Sequence, residues 1–184
     1  GLYAARFWWL AQWIGHAAVA VLDGGLPTWQ ARGLPMNEDT PRPIAGDLRV
    51  GDALVSHVDT QDVEANLSTQ AKLVVDARAP ERYRGEVEPL DPVAGHIPHA
   101  VNRPMAKNLA ADGCFKSAPE LRGEFETLLA GRDPGRLITS CGSGVTACHH
   151  LLAMQVAGLR GASLYAGSWS AWCADPRRPV ERGN

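Results

Sequence analysis

The most chemically suggestive stretch of this sequence is a cysteine between an apolar run and a glycine-containing turn. Cys141 follows a predicted strand at Leu137–Ser140 and precedes a predicted helix from about Val145 to Val156. Backbone N–H groups at the start of such a helix attract an anion and favour the thiolate form of a nearby cysteine. We therefore predict that Cys141 is a nucleophile, the alternative being a small buried hydrophobic residue.

The residues after Cys141 suit a loop that folds around a bound anion. Glycine tolerates positive φ angles, which a tight loop of this kind requires. Two hydroxyl side chains add hydrogen-bonding groups without much bulk. The residues predicted to form this anion-binding loop are Gly142, Ser143, Gly144, Val145 and Thr146.

Two arginines lie close together in a long polar segment that follows another predicted strand. That strand, 72–76, ends at Asp76, and ligands of open α/β sheets gather at the carboxyl ends of their strands. Arg82 and Arg84 could bind a carboxylate or a sulfur oxyanion through paired hydrogen bonds. From composition alone, a solvated surface pair is the other interpretation.

Three motifs resemble those of the rhodanese-type sulfurtransferases. The run Cys-Gly-Ser-Gly-Val-Thr-Ala at 141–147 resembles the active loop of that family and is most similar to its mercaptopyruvate branch. Residues 95–100 and 164–172 resemble its two signature sequences, with His99, Ala166 and Ala171 in place of the usual residues. The resemblance implies an α/β, rhodanese-like fold of three layers, in which helices flank a central, mostly parallel sheet.

In that family the loop cysteine accepts a sulfane sulfur, holds it as a persulfide and passes it on. By resemblance, Cys141 would carry sulfur from 3-mercaptopyruvate or thiosulfate to cyanide or a thiol acceptor, with no metal and no organic cofactor. Arg82 matches the position that binds the substrate carboxylate in the family's mercaptopyruvate enzymes, and Arg84 is a weaker candidate for that role. The residues expected to be structural near the site are Asp76, Arg78 and His96, the first two as an ion pair.

The loop sequence also bears on the choice of sulfur donor. Thiosulfate enzymes of the family tend to place cationic side chains directly after the cysteine, where this chain has Gly142 and Ser143. This difference favours 3-mercaptopyruvate slightly. The mercaptopyruvate enzymes commonly carry a second arginine near 90–92, where this chain has Leu-Asp-Pro, and this difference points the other way.

Two other functions fit parts of the pattern. A sulfur-relay or partner-binding module would need the same Cys141 loop without turning over small donors. A cysteine phosphatase is a weaker interpretation, because its anion loop needs an arginine six positions after the cysteine, where this chain has Ala147.

Composition describes an ordinary globular protein. The 184 residues are 45% hydrophobic and 21% charged with a net charge of −2, which gives no electrostatic reason to expect nucleic acid or a membrane as a partner. The apolar segment 7–22 is interrupted by polar residues, and no signal peptide is evident. Four cysteines without a Cys-x-x-Cys pair favour free thiols and a cytoplasmic location.

An internal repeat predicts the domain organisation. Residues 1–31 align without gaps on 144–174, with seven identities at an offset of 143. The segment 1–35 is therefore predicted to be the C-terminal part of an incomplete first rhodanese domain, followed by a linker at 36–51 and a catalytic domain at 52–184. The missing half of the first domain is an expected partner, and within 1–35 we predict a helix at 2–14 and a strand at 18–22.

Overall fold

A parallel sheet forms the centre of the molecule. The computed structural model describes residues 1–42 and 44–184, so Pro43, in the predicted linker, lies outside the described residues. Within them the strands are β1 (Ser56–Val58), β2 (Leu73–Asp76), β3 (Val101–Asn102), β4 (Leu137–Ser140) and β5 (Ser163–Tyr165). Their spatial order is β1-β5-β4-β2-β3, and every neighbouring pair runs parallel.

Helices cover the two faces of this sheet. They are α1 (Leu2–Trp13), α2 (Gly25–Ala31), α3 (Thr60–Thr69), α4 (Pro80–Tyr83), α5 (Ala118–Leu129), α6 (Ala147–Val156) and α7 (Ser168–Cys173), and short 3₁₀ turns lie at Met105–Asn108 and Pro134–Arg136. None of the helices in the described residues combines the length and apolar character needed to cross a membrane.

The strand sequences explain why both faces are covered. Successive side chains of a strand point to opposite faces, and in β4 Leu137 joins a core cluster with α1, α5 and α6. Its neighbour Ile138 joins a second cluster with α3 and α7. In β2, Val75 belongs to the first cluster and Val74 to the second. The predicted three-layer α/β fold with a parallel central sheet is confirmed.

Local sequence signals set the ends of the helices next to this sheet. Asp59 caps α3: its carboxylate accepts the Asp62 N–H at 2.9 Å, and the Asp62 carboxylate accepts the Asp59 N–H at 3.0 Å. Ser117 and Glu120 form the same capping box at the start of α5. The bounds predicted for the helix at 118–129 and the strand at 137–140 are those observed.

The N-terminal segment packs on the sheet domain. Helix α1 lies against α6 and contributes Ala5, Trp8 and Trp9 to the larger core cluster. The strand predicted at 18–22 is wrong, because these residues pair with no strand among the described residues. Val19 and Val21 instead pack against the core cluster as an unpaired segment, which accounts for the apolar run.

The repeated segments share backbone features at the offset seen in the sequence. Helix α2 begins at Gly25 and α7 begins at Ser168, which lie 143 residues apart and both have positive φ angles, of 61° and 51°. Gly15 and Gly158, also 143 residues apart, have φ angles of 83° and 74°. The sequence repeat is thus accompanied by a repeat of local conformation.

Candidate active site

The structure places Cys141 in the wall of a cleft. The residue follows directly after β4, the central strand of the sheet, and the cleft lies at the carboxyl ends of the strands, where open α/β folds bind ligands. The cleft has a volume of about 670 Å³, and we refer to it below as the Cys141 cleft. Its lining includes Tyr3, Arg82, Asp91, Met105, Cys141 and Ser170. The side chain of Cys141 is buried within it, 2% exposed.

Hydrogen bonds to the start of α7 fix the backbone around Cys141. The Cys141 N–H donates to Ser168 Oγ at 3.1 Å, and that hydroxyl donates to the Tyr165 carbonyl oxygen at 2.8 Å. The Cys141 carbonyl oxygen accepts the Trp169 N–H at 3.0 Å. The Gly142 carbonyl oxygen accepts both the N–H and the hydroxyl of Ser170, each at 2.9 Å. The nucleophile is therefore anchored on both sides.

Gly144 shows why the loop needs glycine. Its φ angle is +74°, and a side-chain carbon added there would lie 2.4 Å from the Ala166 carbonyl oxygen. Both the left-handed conformation and the close approach to the neighbouring backbone exclude a larger residue.

The loop presents a run of backbone donors. The N–H groups from Gly142 to Ala147 donate to no acceptor among the described residues, whereas the next N–H, of Cys148, bonds to the Val145 carbonyl oxygen at 3.2 Å. Five of the residues in 141–146 line the Cys141 cleft. Free N–H groups ahead of a helix favour negative charge, as a thiolate or a persulfide would bring.

Arg82 lies beside this loop. A side-chain carbon added at Gly142 would lie 3.5 Å from Arg82 Nη1, so the guanidinium group packs against the residue next to the nucleophile. Arg82 Nη2 donates to Glu88 Oε1 at 2.6 Å. The arginine is therefore held in place by a carboxylate while it faces the Cys141 cleft.

Glu88 links Arg82 to Arg78. Its other oxygen accepts from Arg78 Nη1 at 3.3 Å, and its side chain is only 3% exposed. Burial alone would raise the pKa of Glu88, but the hydrogen bonds from Arg82 and from the N–H groups of Leu90 and Asp91 outweigh it and hold the pKa below its ordinary value. Glu88 thus remains an anion that fixes Arg82 and Arg78.

Arg78 braces the wall of the cleft. Its Nε and Nη2 donate to Asp76 Oδ2 at 3.0 and 2.7 Å, and Nη2 also donates to the Gly95 carbonyl oxygen at 2.8 Å. The guanidinium carbon lies 4.9 Å from the ring centre of Trp169. The expected ion pair is present in the structure, and it ties β2 to the loop that follows.

Arg84 and His96 lie outside the cleft. Arg84 bonds to both carboxylate oxygens of Glu86, at 2.6 and 2.9 Å, at the protein surface. The structure does not bring it together with Arg82. His96 is buried, stacks on Tyr83 with ring centres 3.8 Å apart, and donates from Nδ1 to the Tyr83 carbonyl oxygen at 2.8 Å.

The three other cysteines, Cys114, Cys148 and Cys173, are also free and buried. Burial raises the pKa of the Cys148 thiol to about 11, although Arg6 acts in the opposite direction. Within residues 1–42 and 44–184, no group of three or more histidine, cysteine or acidic side chains is placed to hold a metal ion.

Sequence reasoning missed several residues of the site. Ser168 and Ser170 bond to the backbone at Cys141 and Gly142. Both lie in the second signature motif, and this was the one sequence feature that could have pointed to them. Glu88 and Asp91 lie in the long polar segment, and their contacts with Arg82 leave no mark in the sequence spacing.

Comparisons with known proteins agree with this architecture. A family model described as the rhodanese-like domain matches residues 59–175. A Pseudomonas aeruginosa protein named "Probable 3-mercaptopyruvate sulfurtransferase" is 46% identical over 185 residues, covering 100% of this chain and 65% of that protein. The thiosulfate sulfurtransferase of Mus musculus is 36% identical over 186 residues, covering 98% of this chain and 62% of that protein. This chain therefore spans a little under two thirds of the length of these relatives.

A solved structure shows the same fold. The anaerobic ergothioneine biosynthesis enzyme of Chlorobium limicola superposes with a TM-score of 0.83 at 24% sequence identity. The match covers 98% of this chain and 45% of that enzyme. At this identity the similarity concerns the fold alone.

Proposed function

Because this chain belongs to the rhodanese-like domain family, we propose that it is a sulfurtransferase that carries sulfur as a persulfide on Cys141. One observation carries the proposal: a buried, free cysteine follows the central strand of the sheet and lies in a cleft beside a run of free N–H groups. A negatively charged sulfur at this position would be stabilised by fixed dipoles.

The first step loads the cysteine. The Cys141 thiolate attacks the thiol sulfur of 3-mercaptopyruvate or the outer sulfur of thiosulfate, forming a sulfur–sulfur bond. The bond from that sulfur to the rest of the donor breaks, and its electron pair leaves with pyruvate, which takes up a proton, or with sulfite. Covalent catalysis of this kind divides one difficult transfer into two easier ones.

The second step discharges the persulfide. A nucleophilic acceptor, either cyanide or a thiolate, attacks the outer sulfur of the Cys141 persulfide. The electron pair of the sulfur–sulfur bond returns to Cys141, which regenerates the thiolate. The loop N–H groups would stabilise this negative charge before and after the transfer.

The charges of the cleft support 3-mercaptopyruvate as the preferred donor. Two arginines line the cleft, but Arg78 is only 2% exposed and already binds two carboxylates, so Arg82 is the guanidinium group that can meet a donor carboxylate. Glu81 and Asp91 add negative charge to the lining. Thiosulfate is a dianion and would be repelled by these carboxylates more strongly than a monoanion. We propose thiosulfate as the secondary donor.

The domain organisation remains a proposal that the repeat supports. We propose that residues 1–35 are the end of a first rhodanese domain, that 36–51 form a linker, and that 52–184 form the catalytic domain. The face of α1 that carries Tyr3 and Phe7 is apolar and exposed, at 78% and 67%. The rest of the first domain is the proposed partner of this face, beside the Cys141 cleft.

Single-turnover release of pyruvate tests the proposed activity. The chain mixed with 3-mercaptopyruvate and no acceptor should release a burst of one pyruvate per chain, as a covalent intermediate requires. Added cyanide should convert the burst into continued turnover with thiocyanate as product. The variant Cys141→Ser should give no burst, while Cys173→Ser should behave as the unmodified chain does. An equal burst in Cys141→Ser would contradict the proposal.

A further inference from the structure

A second cavity lies at the end of the sheet opposite to the Cys141 cleft. It is bounded by α1, by α6 and by the amino ends of β1 and β5, and none of the described residues lines both this cavity and the Cys141 cleft. Its volume is about 410 Å³, within the range of small-molecule sites, and we call it the α1/α6 cavity. Its lining includes Trp8, Gln12, Ser56, Met154, Gln155 and Arg160.

Gln12 is the buried polar side chain of this cavity. Its backbone carbonyl oxygen accepts the N–H groups of Gly15 and Leu54, at 3.1 and 3.0 Å. The residue is only 9% exposed, yet its carboxamide has no hydrogen-bond partner among the residues that the structure describes. A buried polar group without a partner carries the cost of its lost hydration, and such groups are uncommon. A ligand in the cavity would supply the missing bonds.

The internal repeat places a second glutamine on the same cavity. Gln155 of α6 aligns with Gln12 of α1 at the offset of 143, and the two helices pack against each other. Both glutamines line the cavity, and in the described part of the chain the Gln155 carboxamide is also without a partner. A carboxamide has an oxygen that accepts and an NH₂ group that donates. Another amide, with its own donor and acceptor on neighbouring atoms, is the group that complements both functions.

Arg160 supplies the charge of the cavity. It is exposed and forms no ion pair with any residue that the structure describes, and the other described residues of the lining are neither acidic nor basic. One guanidinium group without a competing carboxylate favours a ligand with a single negative charge. Its planar fork suits a carboxylate, which it can bind through two parallel hydrogen bonds.

Apolar side chains form another part of the wall. Leu151, Met154 and Leu159 are each buried and line the cavity. Small-molecule sites combine such a wall with a few polar groups that fix the orientation of the ligand. The α1/α6 cavity thus offers apolar contact, two carboxamides and one cation.

We infer that the α1/α6 cavity binds a small carboxylic acid that carries an amide and an apolar body, as an N-acyl amino acid does. The amide bonds to the carboxamides of Gln12 and Gln155, and the carboxylate bonds to Arg160. The apolar body lies along Leu151 and Met154. This site is separate from the Cys141 cleft, so the inference does not depend on the proposed function.

Three related compounds test the recognition of each group by calorimetry. The probe is N-benzoylglycine, which has an aromatic body, one amide and one carboxylate. Its carboxamide derivative, N-benzoylglycinamide, lacks the charge and should bind at least about tenfold more weakly, the value of a charge-assisted hydrogen bond. In 4-phenylbutanoate two methylene groups replace the amide, and it should bind about threefold to tenfold more weakly. No binding of N-benzoylglycine, or equal binding of all three compounds, would overturn the inference.

Matched variants assign the two preferences to residues. Arg160→Gln should abolish the preference for N-benzoylglycine over its carboxamide derivative, whereas Arg32→Gln, at another exposed and unpaired arginine, should retain it. Gln12→Met should abolish the preference over 4-phenylbutanoate, whereas Gln30→Met, at an exposed glutamine, should retain it. Urea denaturation shows whether each variant is folded. Because Arg160 is exposed, its replacement spares the core, and an unchanged preference in Arg160→Gln would contradict the inference.

The location of the bound probe separates this cavity from the Cys141 cleft. Hydrogen exchange of the backbone amides, measured by mass spectrometry, should slow in peptides that cover 151–162 and stay unchanged in those that cover 141–146. Arg82→Lys, in the Cys141 cleft, should bind N-benzoylglycine as tightly as the unmodified chain does. Slowed exchange confined to 141–146, or loss of binding in Arg82→Lys, would assign the probe to the other cleft and refute the inference.

Discussion

At the scale of single residues, Gly144 carries the sharpest geometric requirement of the loop. Gly144→Ala would place a carbon 2.4 Å from the Ala166 carbonyl oxygen, whereas Gly113, with a similar φ of 81°, has nothing within 4 Å of that position. The two variants share the cost of the left-handed conformation. Gly144→Ala should therefore lower the free energy of unfolding by about 1–3 kcal/mol more than Gly113→Ala, as overpacking does. Urea denaturation measures the difference, and equal losses would show that the loop adapts.

Arg82 and Arg84 give a matched pair of variants for substrate binding. Arg82 faces the Cys141 cleft, and Arg84 lies at the surface bonded to Glu86. Lysine keeps the charge but loses the planar fork that binds a carboxylate through two bonds. Arg82→Lys should raise the KM for 3-mercaptopyruvate about tenfold or more, while Arg84→Lys should leave it unchanged. Similar KM values for both variants would remove Arg82 from the binding site.

At the scale of elements, α1 is part of the core and not an appended segment. Trp8 is 3% exposed and packs in the core cluster shared with α6, whereas its neighbour Phe7 is 67% exposed. Trp8→Ala should lower the free energy of unfolding by about 3–5 kcal/mol, and Phe7→Ala by less than about 0.5 kcal/mol. Chemical denaturation of the two variants checks this. Comparable losses would mean that α1 does not dock as described.

Two histidines of α6 belong to a buried polar cluster that joins this helix to the 3₁₀ turn before α5. Asn108 Nδ2 donates to Nδ1 of His149 and to Nδ1 of His150, each at 2.9 Å. His150 Nε2 donates to the Arg103 carbonyl oxygen at 2.6 Å. Both rings are therefore neutral, since each Nδ1 atom must accept a hydrogen bond. The cluster ties α6, which follows the Cys141 loop, to the 3₁₀ turn at Met105–Asn108.

At the scale of the whole molecule, these histidines predict sensitivity to acid. Burial, with a smaller contribution from the Arg103 guanidinium, lowers the pKa of His149 from 6.5 to about 4 and that of His150 to about 3. Between pH 6.5 and 4 the unfolded chain binds more protons than the folded one, so stability is full above pH 6.5 and falls as the pH drops. Each histidine should contribute a loss on the order of 2 kcal/mol between pH 7 and pH 5.

Urea titrations at several pH values measure that loss. His149→Gln should reduce the slope of unfolding free energy against pH, because it removes one of the two groups. His16→Gln should leave the slope unchanged, since His16 takes no part in the cluster. A slope near zero between pH 7 and pH 5 in the unmodified chain would be incompatible with neutral buried histidines.

The sequence predicted the sheet domain well because its signals are local. The strand at Leu137–Ser140 and the helix at Ala118–Leu129 follow from an apolar run and a capped periodic segment. The prediction of a strand at 18–22 was wrong because a short apolar run looks the same whether it pairs with a strand or only packs against a core. The contact between Asp91 and Arg82 depends on how a long segment folds back on itself, which residue spacing does not reveal.

The most direct test of the account is the intact mass of the chain after exposure to 3-mercaptopyruvate, with peptide mapping of any added sulfur. All four cysteines are free and buried, so the location of the adduct distinguishes Cys141 from the others. We predict one added sulfur atom, on the peptide that contains Cys141, absent in Cys141→Ser and retained in Cys148→Ser. No adduct, or sulfur mapped to another cysteine, would contradict the persulfide mechanism.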